Sequence, residues 1–229
     1  MCGRLAQAQE LQQFIYEFLA QPGTPAPANV PAGADTRPTN RLVVIARGKD
    51  GARKMIFPHW GMIDQSGEKI PNTINARAEF VGRSRLWRPL FEKGRRCLIP
   101  FDAFYEWQKV PDPDAPQTKS KVQRVPYTIT VRSNRAFAFA GLYSTWRPRL
   151  TEDEAESVQA APIDLCATII TTKPNAKIEP LHDRMPAILT AEHFAAWLGE
   201  TECPTHDLLA MLGPLPEQMT EVKRGGPFG

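Results

Sequence analysis

The stretches AFAFAGLY (residues 136–143) and DLCATIITT (residues 164–172) indicate how this chain folds. Both are rich in aromatic and β-branched residues, which favour β-strands because their side chains pack well on a pleated surface. We therefore predict a strand in each stretch. Further short strands are predicted at residues 41–47, 53–58, 97–100, 103–107 and 126–132.

Helices are expected only around these strands. Residues 8–20 carry apolar side chains at helical spacing, and short helices are also predicted at residues 83–93 and 191–198. Residues 21–40 contain five prolines and are predicted to form a loop. Because strands outnumber helices, we predict an α+β fold with a curved antiparallel sheet or open β-barrel as its core and with peripheral helices.

The composition is that of a globular protein. The chain has 229 residues, of which 42% are hydrophobic and 23% are charged, and these fractions exclude a wholly disordered or fibrous chain. We predict one domain over residues 1–229, with its core at about residues 2–213 and a short, frayed tail at residues 214–229.

The cysteines and the hydropathy exclude several classes of protein. The four cysteines, at positions 2, 97, 166 and 203, include no C-x-x-C pair, so neither a zinc site nor a disulfide framework is expected. No metal and no cofactor is predicted. No apolar stretch approaches the roughly 18 residues of a membrane span, and the amino terminus lacks the pattern of a secretion signal. We expect a cytoplasmic protein, associated with the nucleoid when it engages DNA, and a monomer.

The charge is unevenly distributed along the chain. Lys and Arg number 28 against 25 Asp and Glu, a net charge of +3. Residues 77–96 alone contain seven basic and two acidic residues. One basic segment on a nearly neutral chain is typical of a phosphate-binding face, although a solvated helix face gives the same pattern.

Cys2 is the most informative residue for chemistry. It follows Met1, so the removal of one residue leaves a cysteine at the amino terminus. The α-amine (pKa about 8) and the thiol (pKa about 8.5) of such a cysteine are both partly nucleophilic near neutral pH. The amine can form a Schiff base with an aldehyde, which the thiol closes to a five-membered thiazolidine. Alternatively, the thiol attacks an acyl carbon with its own amine as the base, or Cys2 is an incidental small residue.

Two polar segments carry further candidates. In an extended NARAE segment (residues 75–79), Asn75, Arg77 and Glu79 share one face, which suits the floor of a site or an exposed edge strand. Glu106 lies in the aromatic segment FYEW, where burial would raise its pKa towards the range useful for acid–base catalysis. Pairing of Glu106 with an arginine is the alternative.

Two aromatic side chains have two interpretations each. His182 lies in LHDRMP and is either a catalytic group or a turn histidine. Trp60 lies in PHWG and is either a core residue or a platform on which an unpaired base stacks.

Seven segments together resemble one known family. They are MCGR (1–4), WG (60–61), INARAE (74–79), RCLIP (96–100), FYEW (104–107), FAGL (139–142) and HDRMP (182–186). In this order they closely resemble the SOS-response-associated peptidase (SRAP) domain, from residue 2 to about residue 200. The resemblance implies a protein that crosslinks itself to abasic sites in single-stranded DNA.

The resemblance also implies a role for each catalytic candidate. In that family the initiator methionine is removed autocatalytically, and the new amino-terminal cysteine forms a stable thiazolidine with the ring-opened sugar. Carried over by motif, Cys2 is the covalent nucleophile and Asn75 positions its amine. Glu106 and His182 are the acid–base groups for methionine removal, ring opening and reversal.

DNA contacts are implied in the same way for Arg4, Trp60 and Arg77, and the basic segment adds Arg85. One segment departs from the family. After WGMI the family continues with proline and a second tryptophan, whereas residues 64–67 here read DQSG. An acidic residue therefore stands where the family has an aromatic one near the DNA strand.

The alternative function is that of an amidohydrolase or peptidase with an amino-terminal cysteine. It would act on a small molecule or peptide through Cys2, Asn75 and Glu106, without DNA. The two functions differ in one observable property, because only the DNA function requires salt-dependent binding of nucleic acid.

Overall fold

The computed structural model describes residues 2–7, 18, 33–63, 69–111, 122–146 and 164–227. Within these residues the chain forms two β-sheets and several short helices. The helix predicted over residues 8–20 lies outside the described residues except for Phe18, which is helical and buried.

The smaller sheet has five strands, all antiparallel to their neighbours. They are β1 (Leu5–Gln7), β2 (Gly33–Thr36), β8 (Ala103–Pro111), β9 (Val122–Val131) and β14 (Thr220–Arg224). Their order across the sheet is β14-β9-β8-β1-β2, so the amino-terminal strand β1 lies between β8 and β2.

The larger sheet is also mostly antiparallel. Its strands are β3 (Val44–Arg47), β4 (Arg53–Ile56), β5 (His59–Trp60), β6 (Asn75–Arg77), β7 (Arg96–Pro100), β10 (Phe137–Trp146), β11 (Asp164–Thr172), β12 (Met185–Pro186) and β13 (Ile188–Thr190). The main order is β12-β11-β10-β7-β3-β4, with β13 paired to β10 and with β5 and β6 parallel to β11. The predicted α+β fold with an antiparallel core is confirmed.

Side chains of the larger sheet alternate between two hydrophobic cores. On β10, Phe137 and Phe139 face the smaller sheet, whereas Ala138 and Ala140 face the opposite side. This is the period of two that a strand buried on both faces requires. Short helices cover the outer face of the larger sheet: α1 (Ala78–Val81), α2 (Arg88–Glu92), α3 (Phe194–Leu198) and α4 (Thr205–Ala210).

Gly141, in the middle of β10, lies where the neighbouring strands leave no room for a side chain. A Cβ at this position would lie 2.8 Å from Cδ1 of Ile99 and 2.9 Å from both Sγ of Cys97 and the carbonyl oxygen of Thr168. Glycine is therefore required here by the close approach of the neighbouring strands.

Some predicted boundaries are wrong. The prolyl loop at residues 21–40 contains β2, and β8 continues to Pro111 beyond its predicted end. The predicted tail is not frayed, because β14 pairs with β9 over five residues and Thr220 is buried. Neither α1 nor α4 is predicted from the sequence.

The side chain of Gln7 joins the two sheets. From the end of β1 its Nε2 donates to the carbonyls of Val43 (2.9 Å) and Pro100 (2.7 Å), which belong to the strand region of the larger sheet. Its Oε1 accepts from the backbone N–H of Val43 at 2.9 Å. The side chain is buried, so each of these groups would lack a partner without it.

We predict that Gln7→Leu lowers the free energy of unfolding by on the order of 3 kcal/mol, because each buried polar group left without a partner costs about 1–3 kcal/mol. Urea denaturation measures the loss. Gln123→Leu, at an exposed position of β9, is the control and should have little effect. Equal stabilities of the two variants would contradict the bridging role of Gln7.

Candidate active site

The amino-terminal strand places Cys2 between the two sheets. The backbone N–H of Tyr105 donates to the carbonyl of Arg4 at 3.1 Å, and Leu5 is paired with Phe104. Cys2 therefore enters the core between the sheets, where its side chain is fully buried. This burial raises the pKa of the Cys2 thiol well above its usual range, and the negative charge of Glu106 raises it further.

Asn75 holds the backbone of Cys2 from the opposite sheet. It lies on β6, opposite Ile169 of β11, and its Nδ2 donates to the carbonyl of Cys2 at 2.9 Å. Its Oδ1 is buried and accepts no hydrogen bond from the described residues. A buried acceptor of this kind, beside the backbone of Cys2, is a suitable partner for an amine or iminium N–H.

Glu106 lies on β8 and points into the protein, where it is 5% exposed. Burial raises the pKa of its carboxyl to about 7, against the opposing effect of the positive charge at the chain's amino terminus. The side chain is therefore distributed between its acid and its carboxylate near neutral pH, as a group that both accepts and donates protons must be.

His182 is positioned by the segment between β11 and β12. Its Nδ1 lies 3.0 Å from the backbone nitrogen of Arg184 and 2.8 Å from Oδ1 of Asp183, so both neighbours hold the ring in place. The guanidinium of Arg184 is itself fixed by Glu79, at 2.6 and 2.8 Å. Burial and the amino-terminal charge lower the pKa of His182, with a partial offset from Asp183, and this keeps the ring neutral at pH 7.

An open cleft of about 600 Å³ lies beside Glu106 and His182. It is lined by Gly3, Arg4, Glu106, Trp107, Lys109, Arg124 and His182. The structure thus brings together Glu106, His182 and Arg4 beside the residue that follows Cys2. Sequence reasoning missed Trp107, Lys109 and Arg124, although the alternation of a strand places Trp107 and Lys109 on one face.

Arg4 is the predicted DNA-contact residue that lies in the cleft. Its guanidinium packs over the ring of Trp107 at 5.1 Å, and its Nε lies 3.2 Å from Asp35. Part of its charge is therefore already compensated within the protein.

The prediction that Trp60 stacks on a base is wrong for this conformation. Its ring is 1% exposed in the core between the sheets, and its indole N–H donates to the carbonyl of Ile74 at 2.8 Å. No face of the ring is left for a base. The neighbouring segment at residues 64–68, which departs from the family pattern, lies outside the described residues.

Arg77 and Arg85 are exposed but do not line the cleft. The expectation that Asn75, Arg77 and Glu79 share one face is wrong, because α1 begins at Ala78 and turns Glu79 towards Arg184. Nor is the basic segment uniformly free for a ligand. Arg96 donates to the carbonyls of Trp197 and Phe91 and serves the packing of α3.

Neither a metal nor a membrane is indicated by the described residues. No three His, Cys, Asp or Glu side chains among them are arranged to hold a metal ion. In the same part of the chain, none of the helices has both the length and the apolar character needed to span a membrane. Cys2, Cys97, Cys166 and Cys203 are free thiols.

Comparison with known proteins gives consistent matches over most of the chain. The family model "SOS response associated peptidase (SRAP)" matches residues 1–224. The Bacillus subtilis abasic site processing protein YoqW is 35% identical over 219 residues, covering 93% of this chain and 87% of that protein. The Xenopus tropicalis abasic site processing protein HMCES is 29% identical over 168 residues, covering 70% of this chain and 48% of that protein. A crystal structure of a Bordetella bronchiseptica protein superposes with a TM-score of 0.70 at 25% identity, covering 98% of this chain and 99% of the other.

The raised pKa of Glu106 makes stability depend on pH. Because the folded protein binds this proton more tightly than the unfolded chain, stability is lost as the pH rises from the ordinary value of 4.5 through about 7. Glu106→Gln cannot ionise, so we predict that its stability relative to wild type rises by on the order of 2 kcal/mol between pH 5 and pH 8.

Urea denaturation at the two pH values measures this difference. The exposed Glu202→Gln is the control and should follow wild type at both. Parallel stabilities of Glu106→Gln and wild type would show that Glu106 titrates as an ordinary carboxylate.

Proposed function

This chain belongs to the SOS response associated peptidase (SRAP) family, and we propose that it processes abasic sites in single-stranded DNA by forming a covalent thiazolidine through Cys2 after autocatalytic removal of Met1. The observation that supports the proposal is that Asn75 bonds to the carbonyl of Cys2, while Glu106 and His182 line one cleft together with Gly3, the residue that follows Cys2. The relatives are named abasic site processing proteins, and these names support an abasic site as the substrate.

The first step frees the amine of Cys2. Hydrolysis of the peptide bond between Met1 and Cys2 consumes one water and releases methionine. Glu106 is the candidate acid–base group, because its pKa of about 7 allows it to take a proton from the attacking group and return it to the leaving amine.

The second step joins the amine to the sugar. The ring-opened form of an abasic site carries an aldehyde at C1, and condensation of the Cys2 amine with this aldehyde releases one water and forms an imine. Asn75 Oδ1 is available to accept the N–H of the resulting iminium. His182, neutral at pH 7, is placed to assist proton transfer during ring opening.

The third step closes the ring. The Cys2 thiol adds across the C=N bond, its sulfur bonding to carbon while its proton passes to nitrogen, so no further atom is lost. Because burial disfavours the free thiolate, the proton must leave as the sulfur attacks. Glu106 is the base that can carry it. The apolar surroundings of Cys2 would also keep water from the linkage and slow its hydrolysis.

Cations at and near the cleft would hold the strand. We assign Arg4 to the cleft itself, and Arg77 and Arg85 to exposed positions on the path of the strand outside it. A positive rim suits a polyanion better than the uncharged amide of a small-molecule amidohydrolase. We propose that the protein acts as a monomer in the cytoplasm and is associated with the nucleoid when it engages DNA.

We predict that purified wild-type protein lacks Met1, because Cys2 can react in this way only with a free amine. Glu106→Gln, produced in a host without methionine aminopeptidase activity, should retain Met1. Mass spectrometry of the intact proteins measures the difference, and the exposed Glu202→Gln variant should be processed as wild type. Full processing of Glu106→Gln would remove Glu106 from the maturation step.

We further predict that wild-type protein forms a heat-resistant adduct with single-stranded DNA that carries one abasic site, without reductant. Cys2→Ser keeps an amine but has a hydroxyl, a far weaker nucleophile than a thiol near neutral pH, so its adduct should require borohydride trapping. His182→Ala should form the adduct at a changed rate. Denaturing gel electrophoresis after heating measures the adducts of wild type, Cys2→Ser and His182→Ala. Cys203→Ser is the matched control and should form the adduct as wild type does. An undiminished heat-resistant adduct from Cys2→Ser would exclude the thiazolidine.

A further inference from the structure

Two cations face each other across the hairpin formed by β8 and β9. Lys109 and Arg124 are directly opposed in the antiparallel register, so their side chains leave the same face of the sheet at neighbouring positions. Both side chains are exposed. Like charges in this arrangement are destabilising, so the pair is unfavourable for the fold unless an anion lies between them.

The described part of the protein supplies no such anion. Arg41, Arg53 and Arg184 each pair with a carboxylate, whereas neither Lys109 nor Arg124 forms an ion pair with any described residue. The next cross-strand pair on this face, Trp107 and Pro126, is uncharged. Arg4, packed on Trp107, adds a third cation.

The opposed pair lies in the cleft of the candidate active site. Lys109 and Arg124 line it together with Glu106 and His182. The pKa of the His182 imidazole is lowered mainly by burial and by the amino-terminal charge, and the charge of Lys109 adds a smaller effect in the same direction. A sugar bound at Cys2 carries a phosphate on each side, so a strand that enters this cleft brings anions to its rim.

We propose that Lys109 and Arg124 form a phosphate-binding subsite for the DNA strand beside the reacting nucleotide; this rests on the proposed function. Arginine offers a planar fork that binds two phosphate oxygens, and lysine offers a compact point charge. One phosphodiester between them relieves their repulsion. The subsite therefore positions the strand and neutralises the charge next to His182 in the same event.

The test is the salt dependence of binding to an undamaged oligothymidylate, with Lys109→Gln, Arg124→Gln and the double variant. The double variant should reduce the slope of log affinity against log salt by about 0.7, as expected for one lost phosphate contact on a single strand, and each single change should reduce it by part of this amount. The melting temperature of each single variant should equal or exceed that of wild type, because a repulsion is removed. Lys54→Gln, which removes the same charge at an exposed site paired with Asp50, should leave the slope unchanged.

Unchanged slopes in Lys109→Gln and Arg124→Gln would overturn the subsite. So would a slope that falls equally in Lys54→Gln, because the effect would then be one of net charge. Sodium phosphate should weaken strand binding more than sodium chloride of matched ionic strength, because the free anion competes for the same pair, and this difference should disappear in the double variant.

The two proposals fail separately. Undamaged DNA cannot react with Cys2, so the slope measures the subsite without the covalent chemistry. A reduced slope in the variants, combined with no wild-type adduct on abasic DNA, would support the subsite and contradict the covalent function. A wild-type adduct combined with unchanged slopes in the variants would support the covalent function and contradict the subsite.

Discussion

The rest of the structure depends on how the amino-terminal strand is fixed at both ends. Gln7, at one end of β1, reaches into the larger sheet with three buried hydrogen bonds. At the other end, Asn75 of the larger sheet reaches back to the carbonyl of Cys2. Chain termini are usually poorly ordered, because few contacts oppose their conformational entropy. Here two buried amides hold one short strand between the sheets, and this allows a terminal residue to act at a defined position.

Burial raises the pKa of both the Cys2 thiol and the Glu106 carboxyl, and this affects the reactivity of the two groups differently. It suppresses the Cys2 thiolate, which makes the thiol unreactive towards chance electrophiles, and it raises the pKa of Glu106 to about 7. A base with that pKa, next to the thiol, can remove its proton when an electrophile has already been captured by the amine. In the proposed reaction, the order of events, with the amine first and the thiol second, would therefore follow from the environment and not from the intrinsic reactivity of cysteine.

The sequence predicts the longer central strands, and it does not predict the elements and contacts that depend on how the strands pair in the fold. The aromatic and β-branched runs predicted β10 and β11, because such residues pack well on a pleated surface. Trp60 could not be assigned, since a two-residue strand does not show which side chain faces the core. Lys109 and Arg124 are 15 positions apart in the sequence, and only the register of β8 against β9 reveals that they are opposed. The strand at Thr220–Arg224 was missed for the same reason, because it forms only by pairing with β9.

The distribution of unfavourable groups distinguishes the site from the rest of the fold. Asn175, which does not line the cleft, has its buried amide fully used, with Nδ2 donating to Leu215 and Thr220 and Oδ1 accepting from Lys177 and Ile178. Asn75 Oδ1, by contrast, accepts no hydrogen bond from the described residues. Burial of Glu106 disfavours the ionised form of its carboxyl. Lys109 and Arg124, two cations, are opposed at the cleft. Each of these features lowers the stability of the free protein, and each would be relieved by a ligand with an N–H, an exchangeable proton or a phosphate. A strand with an iminium at its sugar carries all three, so the same groups that weaken the free protein would be satisfied together in the complex.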